Sequence, residues 1–513
     1  MNNYSAKREL LAIAAAQLLL HIATASLYPR ELNEYYFLDL SRHLDWGYVD
    51  VAPLGPLLFH LGDWLGGGSL VATRLFSAVA AAITVYLSGR IAAALDGGRY
   101  AQVLAAVAVG LVSFLVRGWS SMSLFAYEPV FWAAASYLLI LILKHDRPAL
   151  WPLLGVTVGL GILLKPTLLL FVGGLGVGLL VSARHHLLRR QFWLGAAALV
   201  LVVSPFVIWM AANHWVSVSF GASRRLPMSW VMSLLTPTLW MLPTTLPLWA
   251  LGVHYFARRP EARDMRTFAW MFASAWAAVL VTHAKSYYLI PLHIPLIAAG
   301  AVQVERWRLR WARLAMLATV TVAGLLWLPL GIPFLDVHTF DRYAKYAWPA
   351  MGPKKARVTN GMFGARQIVY GRRYGWEETS QKLAALYNRL PEAERREAVI
   401  LAQRYPTASA LNFYNPAVGL PRVISGDVQY WLWGPGERSG ETALLIGFSP
   451  DEARALYRDV QPVIAPLETP PDPGELLTIS VCHGLKAPLT QVWPSLLRLG
   501  ELIQPNGVLA PLR

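Results

Sequence analysis

The sequence predicts a polytopic α-helical membrane protein of about 11 transmembrane helices, with interfacial helices in its first external loop and an external α/β domain at its C-terminus. Three observations lead there. Hydrophobic residues make up 56% of the 513 and charged residues only 15%, whereas a soluble domain carries roughly a quarter charged residues. The first two-thirds of the chain is a succession of apolar runs of roughly 17–25 residues, the length that crosses a hydrocarbon core. After about residue 336, charged residues, Pro and Gly rise together and no such run remains.

Taken in order, the spans fall near residues 10–29, 69–90, 101–117, 124–143, 149–164, 167–183, 192–212, 230–256, 267–284, 287–303 and 314–335. Lys7 and Arg8 ahead of an apolar stretch ending Ala23-Thr24-Ala25 also resemble a signal peptide; the reading adopted is an uncleaved first span. Alternate loops then sort by charge. One set carries Lys7 and Arg8, Arg90 and Arg99, Lys144 and Arg147, Arg184, Arg189 and Arg190, Arg258 to Arg266, and Arg306 to Arg313. The other is much poorer, so the positive-inside rule makes the first set cytoplasmic. The N-terminus is then inside, and residues 336–513 outside. The net charge of +15 is therefore not a nucleic-acid signal, because its arginines sit in short loops between spans. A single cysteine, Cys482, excludes an internal disulfide framework and a Cys-rich metal site.

The first external loop, residues 30–68, contains "ELNEYYFLDLSRHLDWGYVDVAPLGPLL". Residues 33–44 and 53–65 both have amphipathic character, with Tyr35, Tyr36, Phe37, Leu40 and Leu44 on one and Leu54, Leu57, Leu58, Leu61, Trp64 and Leu65 on the other. Helices of that kind lie in the membrane interface. An aromatic anchoring belt would account for the rings, but not for Asn33-Glu34 just past the first span. In the tail, "WEETSQKLAALYNRLPEAERREA" and "SPDEARALYRDV" read as helices, the second capped by Ser449 before Pro450. "AVILAQRY", "TALLIGF" and "LLTISVCHG" read as short buried strands. No internal repeat, P-loop, GxGxxG or HExxH occurs.

Ionisable residues in or beside spans are the most informative, since each costs roughly 2.5–3.5 kcal/mol at a helix centre. Glu128 lies one turn into the fourth span, followed by Pro129, which is expected to disturb the local helix. Lys165 ends the fifth span and Lys285 the ninth. By the span count all three face the external side, as does Glu34. Singly, each has a plain alternative, since span-end lysines snorkel and interfacial acids are hydrated. Jointly, they point to one external site. An acid serves as general base, and lysines or arginines at the membrane surface hold a phosphate. With no nucleotide-binding loop, the economical donor is a lipid-borne phosphate. Arg224 and Arg225 are further phosphate candidates from charge, with anionic headgroup contact as the alternative. His21 and His293, inside spans, are read as packing and interhelical hydrogen bonding.

The motifs "NEYYFLDLSRHLDWGYVDVAPL", "SMSLFAYEPVFW", "LLKPTLLL", "AKSYYLIPLHIPLIAAGAV" and "YPTASALNFYNPAVGLPRVISGDVQYWLWG" occur in this order along most of the chain. Together they resemble the bacterial members of the GT-C glycosyltransferase superfamily related to protein O-mannosyltransferases and to the lipid A aminoarabinose transferase. The resemblance implies a bacterial inner-membrane enzyme of the cell envelope with a periplasmic C-terminal domain. Such an enzyme moves a sugar from a polyprenyl phosphate carrier, such as undecaprenyl phosphate, with inversion, to a lipid, glycan or protein acceptor. No acid cluster suggests tight metal binding, so no cofactor and no catalytic metal are expected, and no nucleic-acid partner. By resemblance, Lys165, Lys285, Tyr287 and Tyr288 hold the carrier phosphate, and Arg42, His43, Tyr36 and Asp50 lie near the site.

Two departures bear on catalysis. The family's first acidic pair is Asp-Glu where this chain has Asn33-Glu34, and an amide is no base. The second family acid is usually Asp where this chain has Glu128. Three readings stay open: Glu34 or Glu128 takes over, the acceptor is already an anionic oxygen, or transfer has been lost. The last would leave a catalytically silent binding protein for lipid-linked sugars. A transporter would instead predict mid-bilayer acids and inverted repeats, and the sequence has neither.

Overall fold

The computed structural model describes residues 6–223, 230–347, 369–370, 373–463 and 478–498. The chain divides into two compact units, one of residues 1–28, 51–212 and 225–335, the other of residues 29–50, 213–224 and 336–513.

The first unit is helical. Its elements are α1 (Lys7–Thr24), α3 (Leu54–Gly66), α4 (Leu70–Ala94), α5 (Arg99–Gly110), α6 (Ser113–Trp119), α7 (Leu124–Lys144), α8 (Trp151–Leu164), α9 (Leu169–Ser182), α10 (Arg190–Ala212), α12 (Trp230–Trp240), α13 (Leu246–Arg258), α14 (Arg266–Thr282), α15 (His293–Glu305) and α16 (Arg310–Gly331); α2 (Leu32–Ser41), α11 (Val216–Ser223) and α17 (Val337–Ala347) belong to the second unit. Among the described residues, five helical stretches are long and apolar enough to cross a membrane: α4, α7, α10, Ser286–Glu305 and α16. A sixth forms if α5 and α6, bent by 64°, count as one span. This is a multi-pass membrane protein.

The remaining expected spans are helical but shorter or interrupted, and proline explains much of it. The 230–256 run is broken where Leu242 takes a positive φ of 69° and Pro243 opens a 3-10 turn. Lys165, extended before Pro166, separates α8 from α9. Pro129, by contrast, leaves α7 unbroken from Leu124 to Lys144, correcting the expected local disturbance. Its missing N–H leaves only the Phe125 carbonyl, four residues back in the first turn, without its helical donor.

Small residues set the helix spacing. A Cβ placed on Gly300 of α15 would lie 1.8 Å from the Leu248 carbonyl oxygen of α13, and one on Gly252 would lie 1.9 Å from that of Leu296. Backbones this close rely on glycine on both sides, as lipid-embedded helices commonly do. The faces turned away from neighbours stay apolar and open: Leu201 of α10 is 74% exposed and Leu314 of α16 is 65% exposed. In water such faces would be a liability, but in hydrocarbon they are solvated. At the other extreme Arg74 of α4 is buried, donating to the Tyr28 carbonyl (3.0 Å) and lying over the Tyr28 ring (4.4 Å). The Glu305 carboxylate accepts from the backbone N–H groups of Gly98 (2.6 Å) and Ala101 (3.1 Å), capping α5 from across the unit.

The second unit holds a five-stranded sheet of order β2-β1-β3-β5-β4, made of β1 (Val399–Ala402), β2 (Val423–Ser425), β3 (Thr442–Ile446), β4 (Tyr457–Val463) and β5 (Ile479–Leu485). β1 is parallel to β2 and β3, while β5 runs antiparallel to both β3 and β4. Leu401, Leu445, Phe448, Cys482 and Trp493 share its core. Two of these strands went unforeseen. β2 has three residues, too few for a pattern, and β4 continues straight out of the helix Pro450–Leu456, where the sequence reads as one helix. Ser449 does cap that helix, in a capping box with Glu452. A proline splits the other expected helix into Trp376–Tyr387 and Glu392–Glu397.

α2 also corrects an expectation. Every residue from Glu34 to Ser41 is buried, so this helix has no lipid-facing side and is a core element of the second unit. Tyr35 packs on Phe413 (5.2 Å between ring centroids) and Tyr36 on Tyr405 (4.4 Å). α3 keeps the character expected of an interfacial helix, with Leu57, Leu61, Trp64 and Leu65 exposed and Phe59 buried.

Candidate active site

In the first unit, Glu128 sits at the second turn of α7 and is 2% exposed. Its carboxylate accepts from the Lys165 ammonium (2.5 Å), the Trp132 indole N–H (3.3 Å) and the Thr167 hydroxyl. The local sequence explains the convergence. Trp132 is one helical turn beyond Glu128, on the same face of α7. Pro166 forces Lys165 out of the α region, and the 3-10 turn it opens sets Thr167 two residues on from the lysine. Lys165 in turn lies over the faces of Phe125 (4.0 Å) and Tyr288 (4.8 Å), both favourable sites for a cation.

The segment after α14 brings the rest. α14 ends at His283 in a left-handed conformation, and Ser286–Leu292 forms a 3-10 helix. Tyr287 and Tyr288 meet edge to face (4.8 Å), and Lys285 lies 6.0 Å from the Tyr287 ring. Tyr287 also packs against Phe114 (5.6 Å) and Phe125 (6.0 Å). The first unit thus gathers Glu128, Lys165, Lys285, Tyr287 and Tyr288 around one aromatic wall. Thr167, Trp132 and Phe125 belong to it and escaped the sequence reading. The adjacency of Thr167 to Lys165-Pro166, and the one-turn spacing of Phe125 and Trp132 around Glu128, carried the signal.

The remaining candidates belong to the second unit. Glu34 is the N3 residue of α2, and its carboxylate accepts from the backbone N–H of Glu31 (2.8 Å) while the Glu31 side chain accepts from Glu34 in a capping box. Asn33 is half-buried beside it. The Tyr36 hydroxyl donates to Asp50 (2.6 Å), and burial together with that carboxylate holds the phenol well above its ordinary pKa. Arg42 and His43 are exposed at the C-terminal end of α2, the His43 ring 4.7 Å from Trp433. Asp39, buried and not foreseen, accepts from the Tyr430 hydroxyl and from the Asn412 amide (3.2 Å), which also bonds the β2 backbone at Val423. Arg224 and Arg225 lie outside the described residues.

Comparison with known proteins supplies the context. Residues 50–209 match the family described as dolichyl-phosphate-mannose-protein mannosyltransferase. The structure of ArnT from Cupriavidus metallidurans bound to undecaprenyl phosphate is similar, with a TM-score of 0.58 and 15% identity over 92% of this chain and 97% of that one. The apo state of the same protein gives a TM-score of 0.56 at 15% identity, with the same coverage. No curated protein matches the sequence. The family match and these structural neighbours agree with the motif resemblance: residues 50–209 match a mannosyltransferase family, and the chain as a whole has the fold of ArnT.

Proposed function

We propose that the protein transfers a sugar from a polyprenyl-phosphate carrier to an acceptor at the external face of the bacterial inner membrane, with inversion. In this reading the shorter apolar helices complete a membrane domain of about 11 spans, with the N-terminus cytoplasmic and residues 336–513 periplasmic. The observation that carries it is the buried Glu128–Lys165 pair walled by Tyr288 and Phe125. A buried ion pair contributes little net stability, so its presence beside two tyrosines and a second lysine favours a chemical role.

The arrangement suits the reaction as follows. An acceptor oxygen attacks the anomeric carbon, the carbon–oxygen bond to the carrier phosphate breaks, and the electron pair leaves on the phosphate. An incoming phosphate competes with Glu128 for the Lys165 ammonium. Lys165 and Lys285 then stabilise the leaving phosphate, with the Tyr287 and Tyr288 hydroxyls as donors. Once Lys165 turns to the phosphate, the Glu128 carboxylate is left to accept the acceptor proton. Asn33 cannot do so, and Glu34 is committed to capping α2.

The test is transfer from labelled polyprenyl-phosphate sugars to a membrane extract by purified wild type, Glu128→Gln and Asn33→Asp. Transfer by wild type that falls by about 10²-fold or more in Glu128→Gln supports the assignment. The second reading, a silent binding protein, is favoured by Asn33 and by the capping role of Glu34. It predicts carrier binding without transfer in wild type, and transfer appearing in Asn33→Asp.

A further inference from the structure

Far from Glu128 in sequence, two connections of the first unit meet. The turn after α9 is a 3-10 helix, Arg184–Leu188, and the segment between α13 and α14 contains Asp264. His186 is 1% exposed, and neither of its ring nitrogens has a hydrogen-bond partner. A neutral imidazole carries one donor and one acceptor, and burying both unpaired is unfavourable unless something else occupies them. The neighbours indicate what would. The His185 ring lies 4.3 Å from the His186 ring, and His185 Nε2 lies 3.7 Å from an Asp264 carboxylate oxygen. One ligand atom from each of the three falls within 4.8 Å of the others.

We propose that His185, His186 and Asp264 form a binding site for a divalent transition-metal ion of the zinc class, clasping the α9–α10 connection to the α13–α14 connection. Two imidazoles and a carboxylate are a donor set zinc takes readily, and a tetrahedral ion brings its ligand atoms to about 3.3 Å from one another. A contraction of an ångström or so from the present separations achieves that. A cleft of about 750 Å³, lined by His185, Asp264, Arg184, Lys144 and Glu261, leaves a water its place as fourth ligand. Nearby cations are partly offset, since Lys144 pairs with Asp96 (2.5 Å) and Arg189 with Asp146 (2.5 Å). A neutral imidazole ligates through a free ring nitrogen, and both ring nitrogens of His186 are without a hydrogen-bond partner. The Asp264 backbone carbonyl accepts from Thr267 (2.8 Å), fixing the residue at the start of α14. No charge pattern betrayed the site, because its ligands come from two loops remote in sequence. Its role is structural and independent of sugar transfer.

The test uses full-length protein in detergent, purified without a polyhistidine tag and stripped with chelator. Calorimetric titration with Zn²⁺ is run on wild type, His185→Ala and Asp264→Asn, with Co²⁺ absorption as an independent readout of coordination. The expected result is one ion per chain with a dissociation constant of about 1 µM or tighter, weakened at least ~10-fold in both variants. Zinc should also raise the melting temperature of wild type but not of the variants. No zinc uptake by wild type, or uptake that both variants retain unchanged, overturns the proposal. Apo melting temperatures of the variants close to that of wild type exclude misfolding as the cause of weaker binding.

Discussion

At the scale of single residues, the Glu128–Lys165 pair makes the sharpest prediction about stability. Either charge left alone is buried without its counterion, which costs about 3–5 kcal/mol, whereas removing both leaves an apolar pair of similar volume. Lys165→Met and Glu128→Leu should each lower the melting temperature in detergent more than the double variant does. A double variant less stable than both singles would show that the pair is not the unit. Cys482 offers a pH test outside the membrane. Burial raises its thiol to about 12 from the ordinary 9.0. The unfolded chain therefore sheds this proton at lower pH than the folded chain, and the contribution to stability declines as pH rises from about 9 towards 12. Iodoacetamide at pH 8 should leave the folded protein unlabelled and label it fully in denaturant; rapid native labelling would contradict the buried placement. Much of the candidate site could be read at this scale because charges in apolar runs stand out. Lys165, Lys285 and Glu128 were visible, whereas Thr167 and Trp132 were not, since a threonine or tryptophan in a span has no cost to advertise. Glu34 shows a second role that the sequence also carried. An acid past a span looks chemical, and Glu31 and Glu34 at N-cap and N3 also form a capping box whose spacing was there to be seen.

At the scale of elements, the α13–α15 contact depends on backbone proximity. Gly300→Leu would drive a side chain into the Leu248 carbonyl, and Gly252→Leu into that of Leu296. Each should reduce the yield of monodisperse protein and lower its melting temperature by several degrees, while Gly173→Leu on α9, where a Cβ meets nothing within 4 Å, should be neutral. Equal behaviour of all three would contradict the packing. Element types followed from periodicity where runs were long. They failed where tertiary pairing decides: Leu456 to Tyr457 contains no Gly or Pro to end a helix, and only pairing with β5 turns the chain into a strand. The apolar residues of α2 suggest an amphipathic interfacial helix, whereas Asp39 and Glu34 on its other faces find partners within the second unit.

At the scale of the whole molecule, the arginine asymmetry of the loops sets the orientation proposed above. In a Cys482→Ala background, a membrane-impermeant maleimide applied to intact spheroplasts should label Trp46→Cys, whose parent residue is 64% exposed, and spare Arg308→Cys until the membrane is permeabilised. The reverse pattern would invert the topology. Span counting from hydropathy finds where apolar chain is, but not whether one helix or two carries it. The 230–256 run illustrates this, because composition is continuous there and only the backbone at Leu242–Pro243 is not.

The ion pair has one more consequence, for biogenesis. Glu128 lies near the start of α7 and Lys165 follows the last residue of α8, so the two charges stand at the same end of one helical hairpin. A ribosome delivering these segments singly would ask the translocon to partition each charge alone, at roughly 2.5–3.5 kcal/mol near a helix centre and less toward its end. Delivered as a closed hairpin, the carboxylate and ammonium enter already neutralised. Pairing of α7 with α8 during synthesis should therefore lower the cost of inserting either segment, before any substrate arrives.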